Sequence, residues 1–138
     1  NLSQIGSEVI VDILDEIFNE KAKFIHQNPK LASYAKKIKK NEAKIYWNDS
    51  AKKILAKING LNPDPGAWFI YKEARYKIWR AKISENMGTP GKILNNNFII
   101  GCGDKSIEII EIQKEGKNRL LLKNFLKGAN FKQGDELK

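Results

Sequence analysis

With 138 residues, 41% of them hydrophobic and 30% charged, the chain is long enough for one medium-sized globular domain with a real core. A net charge of +9 with one cysteine and one histidine excludes an internal disulfide and argues against a structural zinc site. No apolar run approaches the roughly 20 residues that span a bilayer and no secretory signal precedes the first helix, so a soluble protein of a reducing, cytoplasmic compartment with no membrane partner is expected.

The charge is unevenly spread. Residues 1–20 carry −5, residues 21–82 carry +12 and residues 83–138 carry +2. A local excess of that size draws polyanions such as nucleic acid or an anionic membrane, although a solvated lysine-rich surface gives the same count.

Residues 7–19 predict an amphipathic helix. Val9, Ile10, Ile13, Leu14, Ile17 and Phe18 recur at helical spacing, Ser7 stands at the N-cap position and Glu8 in the first turn. So wide an apolar stripe needs a partner, and the polar segment after it offers none. The chain starts at Asn1 without a methionine, so the partner is expected upstream of residue 1; packing on the rest of this chain is the alternative.

Residues 20–48 read as a connector. Asn28-Pro29 breaks it, and Lys36, Lys37, Lys39, Lys40 and Lys44 are interleaved with Tyr34, Ile38, Ile45 and Trp47. Apolar anchors set among lysines predict an extended arm lying on a surface, with the lysines free to reach phosphates. Residues 49–59 form a second helix. Ala51, Ile54, Leu55 and Ile58 make its inner face, Asn48 or Asp49 the cap, Gly60 the stop, and Lys52, Lys53 and Lys57 a basic outer face.

Asn62-Pro63-Asp64-Pro65-Gly66 then makes a rigid corner, because proline fixes φ and pushes its predecessor out of helical space. Two aromatic, β-favouring runs follow, 67–71 and 76–83, with 72–75 able to close a hairpin. Strand-like runs are expected at 67–72, 75–83, 90–95, 97–101 and 106–113, with turns between them. Leu120–Leu122 is a last short strand, and 123–126 a helical turn ending at Gly128. The neighbours Ile109 and Ile110 point to a bulge or a doubly buried strand. About five strands and a capping helix suit a small closed barrel.

Catalytic groupings are hard to assemble. His26 stands alone in the connector, and Cys102 lies in a glycine-rich turn with no histidine to pair with. Asp12, Asp15 and Glu16 lie on one helix, and Gly101-x-Gly103 lacks the third glycine of a nucleotide loop. Binding chemistry is better represented. Arg75, Lys77, Arg80 and Lys82 are interspersed with Tyr76, Ile78, Trp79 and Ala81, and such groups on a rigid sheet can meet phosphates and stack on bases. Trp68 and Trp79 are expected in the core. Ile78 and Trp79 cannot both point inward, so one is exposed or a bulge intervenes.

The corner and hairpin, GLNPDPGAWF followed by KIWRA, resemble the C-terminal domain of the methionyl-tRNA formyltransferase family. Tyr34-Ala35-x-Lys37-Ile38 and Ala43-x-Ile45-x-Trp47 resemble its interdomain segment. Gly101-Cys102-Gly103-Asp104, Gln113-x-x-Gly116-Lys117 and Phe125-Leu126-x-Gly128 resemble its closing strands and final turn. Asp64, Tyr46, Asn59 and Lys36 depart from the family's usual Trp, Asp, Arg and Pro.

The resemblance implies a mainly β fold with helices: a small OB-like barrel preceded by an α-helix and an extended linker. Residues 1–20 would end a catalytic domain, 21–48 would link, and 49–138 would form the tRNA-binding barrel. The family moves a formyl group from 10-formyltetrahydrofolate to the amino group of methionyl initiator tRNA. Its Asn, His-x-Ser and Asp would precede residue 1, leaving no catalytic residue, cofactor or metal site in this chain. The implied partners are initiator methionyl-tRNA and the chain's own catalytic domain, with a monomeric state. Two alternatives stay open: the same module on another folate-dependent formyltransferase, or a non-catalytic interaction domain.

Overall fold

The computed structural model describes residues 2–138. They divide into two compact units, Asn1–Lys36 and Lys37–Lys138. In the first, α1 spans Leu2–Phe18 and buries none of its residues. The helix thus starts earlier than its hydrophobic pattern implies. Ser7 lies inside it, its Oγ donating to the Gln4 carbonyl at 2.7 Å rather than capping. The C-terminus closes in a Schellman arrangement. Lys21 N–H donates to Glu16 O and Glu20 N–H to Ile17 O, with Glu20 at φ 58, a position usually given to glycine. Asn28 then starts a short turn at Pro29–Leu31 by accepting from Lys30 N–H.

The second unit begins with an extended segment. A single turn at Lys40–Ala43 leads into Ala43, Ile45 and Trp47, all buried, while Tyr46 between the last two stays outside. Helix α2, Ala51–Leu61, lays Ala51, Ile54 and Ile58 on the barrel, as its i, i+3, i+7 spacing requires. Its caps differ from expectation. Ser50 accepts from Lys53 N–H, and Asp104, distant in sequence, accepts from Ala51 N–H at 2.8 Å. Gly60 is still helical, and the helix runs on to Leu61.

The Pro–Gly corner turns the chain into β1, Trp68–Tyr71. A two-residue turn, Lys72-Glu73, joins it to β2, Ala74–Ser84. Strands β3, Ile99–Gly101, β4, Ser106–Lys114, and β5, Leu120–Leu121, complete an antiparallel sheet in the order β1-β2-β4-β3, with β5 beside β4. Residues 90–95 form isolated bridges rather than a regular strand, because they pair with two different partners. Ile93 bridges to Ile100, and Lys92 to Glu136. Ile70 in turn exchanges both backbone hydrogen bonds with Lys138. The last residues of the chain therefore link the two edges of the sheet and close the ring. Helix α3, Leu122–Phe125, and a turn at Leu126–Gly128 lie over one end.

Two offset bulges interrupt the β2–β4 pairing. Ile78 pairs with Ile112, Arg80 with Glu111 and Ala81 with Ile109, so Trp79 and then Ile110 are each left over. Both adjacent-residue ambiguities of the sequence are resolved in this way. Ile78 and Ile109 enter the core, while Trp79 and Ile110 are only partly covered. The core is Phe69, Ile78, Ile100, Ile107, Ile109 and Ile112 inside the barrel, sealed by Ile54 and Ile58 from α2.

Candidate nucleic-acid interface

A bulge shifts the side-chain phase of a strand by one residue. On β2, Tyr76 and Ile78 are buried, so Arg75 and Lys77 point outward. After the extra residue at Trp79 the phase changes, and Arg80 and Lys82 are exposed while Ala81 is partly covered. All four cations therefore share one face. Without the bulge, Arg80 and Lys82 would oppose the other two.

Trp68 and Trp79 lie on this outer face, not in the core; the core tryptophan is Trp47. Their indole N–H groups are used locally. Trp68 Nε1 donates to Lys40 O at 3.0 Å and Trp79 Nε1 to Gln113 Oε1 at 2.9 Å. Cations cover their rings. The Arg75 guanidinium is 4.5 Å from the Trp68 centroid, and Lys77 Nζ and the Arg119 guanidinium are 5.1 and 4.6 Å from that of Trp79. Lys77 crosses directly over Gly66, where a Cβ would meet its stem at 2.5 Å. The glycine of the corner suits its own φ of +73°, and a Cβ there would also push the Lys77 stem aside.

The strip continues onto the extended segment and α2. Lys44 bridges to Trp68 in parallel, and Ile45 N–H donates to Trp68 O. Lys57, on α2, donates to Lys44 O at 2.8 Å and lies 5.3 Å from the Tyr46 centroid. Lys57, Arg75 and Lys77 contact Tyr46, Trp68 and Trp79 through their side chains, and Lys44 and Lys40 join the series through their backbone carbonyls, which accept from Lys57 Nζ and Trp68 Nε1. Lys37, Lys39 and Lys52 are exposed in the same unit; Lys36 is the last residue of the first unit.

Carboxylates divide this set. Lys53 pairs with Asp49 at 2.7 Å, Lys82 with Glu108 at 3.1 Å and Arg80 with Glu111 at 4.0 Å. Glu111 also holds Arg119 at 2.5 Å, and that hydrogen bond keeps the Glu111 carboxyl below its ordinary range. Among the described residues no carboxylate lies within 4.0 Å of the Lys57–Lys44–Lys40–Arg75–Lys77 series. The free positive charge therefore concentrates at the β1 end of the sheet. Beside it a shallow pocket is lined by Arg75, Lys77, Gln113 and Glu115.

Sequence reasoning missed Arg119. It lies in the nearly neutral last third of the chain, and only the pairing of β5 with β4 carries it over Trp79. Cys102 is buried, its Sγ is 3.6 Å from Ile100 O, and burial pushes the thiol up to about 12. It is a core side chain and not a nucleophile at neutral pH.

Residues 37–130 match the family model described as formyl transferase, C-terminal domain. A methionyl-tRNA formyltransferase of Pelagibacter ubique is 43% identical over 137 residues, covering 99% of this chain and 44% of that protein. One from Bradyrhizobium diazoefficiens is 36% identical, covering 96% of this chain and 44% of its own length. The chain thus spans under half the length of these curated relatives. Among solved structures, a variant of HypX from Aquifex aeolicus superposes with a TM-score of 0.67 at 21% identity, over 95% of this chain and 27% of that one. HypX in complex with tetrahydrofolic acid gives 0.62 at 22%, over 94% and 26%. These structures share the fold. A family match over most of the chain, together with relatives above one-third identity, means that this chain belongs to the formyl transferase C-terminal domain family.

Proposed function

We propose that this chain is the tRNA-binding C-terminal part of a methionyl-tRNA formyltransferase. The whole protein would transfer a formyl group from 10-formyltetrahydrofolate to the amino group of methionyl initiator tRNA in the cytoplasm, as a step of translation initiation. Residues 1–20 would end its catalytic domain, 21–48 would link and carry Lys40 and Lys44 to the same strip, and 49–138 would form the tRNA-binding domain. The chemistry would rest with residues upstream of Asn1. This chain's residues would hold the tRNA by its backbone and present the acceptor end to that domain, within one monomer.

The observation that carries this reading is the series from Lys57 to Lys77, with no described carboxylate within 4.0 Å of its cations and with Tyr46, Trp68 and Trp79 among them. Clustered cations supply phosphate affinity without reading sequence, and the Tyr46, Trp68 and Trp79 rings beneath them help fix where the cations stand. RNA is the favoured polyanion because the chain's curated relatives are methionyl-tRNA formyltransferases. Lys37, Lys39 and Lys52 would add to the series, Lys53 less so because Asp49 holds it, and Lys36 would be a further cation of the linker. Arg80 and Lys82, already paired, would contribute less.

Five or six phosphate contacts give a log–log salt slope of roughly −4.5 to −5.5 for binding duplex-like RNA. Filter binding of initiator tRNA to the intact protein tests this. Arg75→Glu/Lys77→Glu should weaken binding at least about tenfold and flatten the slope, whereas Arg80→Ala/Lys82→Ala should change affinity less than about threefold. Salt-independent binding, or equal losses from both pairs, would remove the reading.

A further inference from the structure

A cavity of about 620 Å³ in the second unit opens where the β1–β2 turn meets the 114–131 segment. It lies on the inward side of the hairpin, whereas the cationic strip uses the outward side. One wall is aromatic. Phe131 stacks on Tyr71 at 4.2 Å between centroids and meets Tyr76 edge-on at 5.3 Å, and Phe125 meets Tyr76 edge-on at 6.0 Å. The interlocked rings form a rigid surface with ring faces and edges already fixed.

The rest of the lining is polar. Lys72, Lys114 and Lys117 stand around the opening with Asn118, Asn124 and Asn130. Among the described residues no carboxylate lies within 4.0 Å of the three lysines. Asp135, which binds the Tyr71 hydroxyl, also accepts from Lys132 N–H at 2.8 Å, so its charge is already engaged. The turn that presents Lys72 holds two non-glycine residues, Lys72 and Glu73, at φ 45 and 65. That backbone suits glycine or asparagine better, and it sets Lys72 Nζ 4.8 Å from the Tyr71 centroid at the rim.

A cavity of this size is typical of small-molecule sites. Its chemistry asks for a ligand with one flat apolar ring, an edge of mixed donors and acceptors for the amides, and an anionic group for the lysines. An acyl chain would leave the lysines and asparagines unused, and inorganic phosphate would leave the aromatic wall bare. We propose that this cavity binds one nucleotide, its base against the partly exposed Phe125 and Phe131 rings and its phosphate at Lys114 and Lys117.

Two sources fit: a free nucleotide, or an unpaired nucleotide of a bound RNA. The second deepens the tRNA reading and rests on it. A physical link between the two surfaces exists, since Gln113 Nε2 donates to Lys117 O while Gln113 Oε1 accepts from Trp79. The loop that carries Lys117 is therefore tied to the outer strip through Gln113.

Calorimetric titration of the intact protein with AMP, adenosine, inorganic phosphate and the trinucleotide ApApA tests the proposal. AMP should bind saturably at one site, with adenosine and phosphate each at least about tenfold weaker because each meets one kind of wall. Lys114→Ala/Lys117→Ala, both exposed and expected to fold, should weaken AMP about tenfold and leave adenosine unchanged. Asn124→Ala should weaken both. ApApA binding far tighter than AMP supports the RNA source; equal affinities support the free nucleotide. Absence of saturable AMP and ApApA binding at millimolar concentration, or AMP affinity indifferent to both variants, overturns the proposal. If Arg75→Glu/Lys77→Glu still weakens tRNA in that case, the cavity assignment falls and the tRNA reading stands.

Discussion

Gly101 and Gly103 flank Cys102 for a steric reason. A Cβ on Gly101 would run into the carbonyl of Thr89, and one on Gly103 into that of Asn48. Both obstacles are backbone held by tertiary contacts, so no rotamer change relieves them. Gly103→Ala should therefore destabilise the domain by about 1–3 kcal/mol through forced displacement. Gly60 is the contrast: it lies in α2 with nothing within 4 Å of an added Cβ. Gly60→Ala should raise stability by up to about 1 kcal/mol, since alanine is the better helix former. Thermal melts of the two variants check both signs together. The sequence marks these glycines alike as punctuation, because whether a glycine ends a helix or admits a neighbour depends on what lies across from it.

At the scale of elements, α2 is capped from outside its own segment. Asp104 accepts from Ala51 N–H, and that bond, with a second from Lys105 N–H, holds its carboxyl below the ordinary 3.8. Asp135 is lowered in the same direction, first by the Tyr71 hydroxyl and then by Lys132 N–H. A depressed folded pKa means that the unfolded chain binds protons first. The stabilisation is complete above the unfolded value and is lost as pH falls through the folded one. Melting temperature should thus hold from about pH 6 to about pH 4 and then drop, and Asp104→Ala/Asp135→Asn should lower the plateau and flatten the drop. Melts across that range check this; an unchanged acid slope in the double variant would discount both caps. The inner face of α2 was legible because helical spacing is local, whereas the true cap was not, because it lies far along the chain.

The whole molecule depends on its last residues. The Ile70–Lys138 and Lys92–Glu136 pairings join the free edge of β1 to the bridges beside β3, and Leu137 is buried among the core side chains. Deleting residues 135–138 should open the ring, expose two sheet edges and lower the melting temperature by several degrees, measured by circular dichroism, while α2 persists. Retention of the full melting temperature would show that closure is incidental. Nothing in GDELK reads as a strand. Its glycine and acids argue against one, and only the two waiting edges make it part of the barrel.

The sequence alone determined the local matters: an amphipathic α2, a rigid Pro–Gly corner, an aromatic hairpin, a basic middle and the family's motifs. All of these depend on neighbours within a turn or two of chain. Tertiary structure decided which tryptophan is core, which cations share a face, which lysines remain unpaired, and how the ring shuts. Those outcomes depend on strand register. Two bulged residues, Trp79 and Ile110, reset the phase of β2 against β4. Side-chain period in a strand is two, so a one-residue shift exchanges inside for outside, and the pairing that produces it joins residues some thirty positions apart.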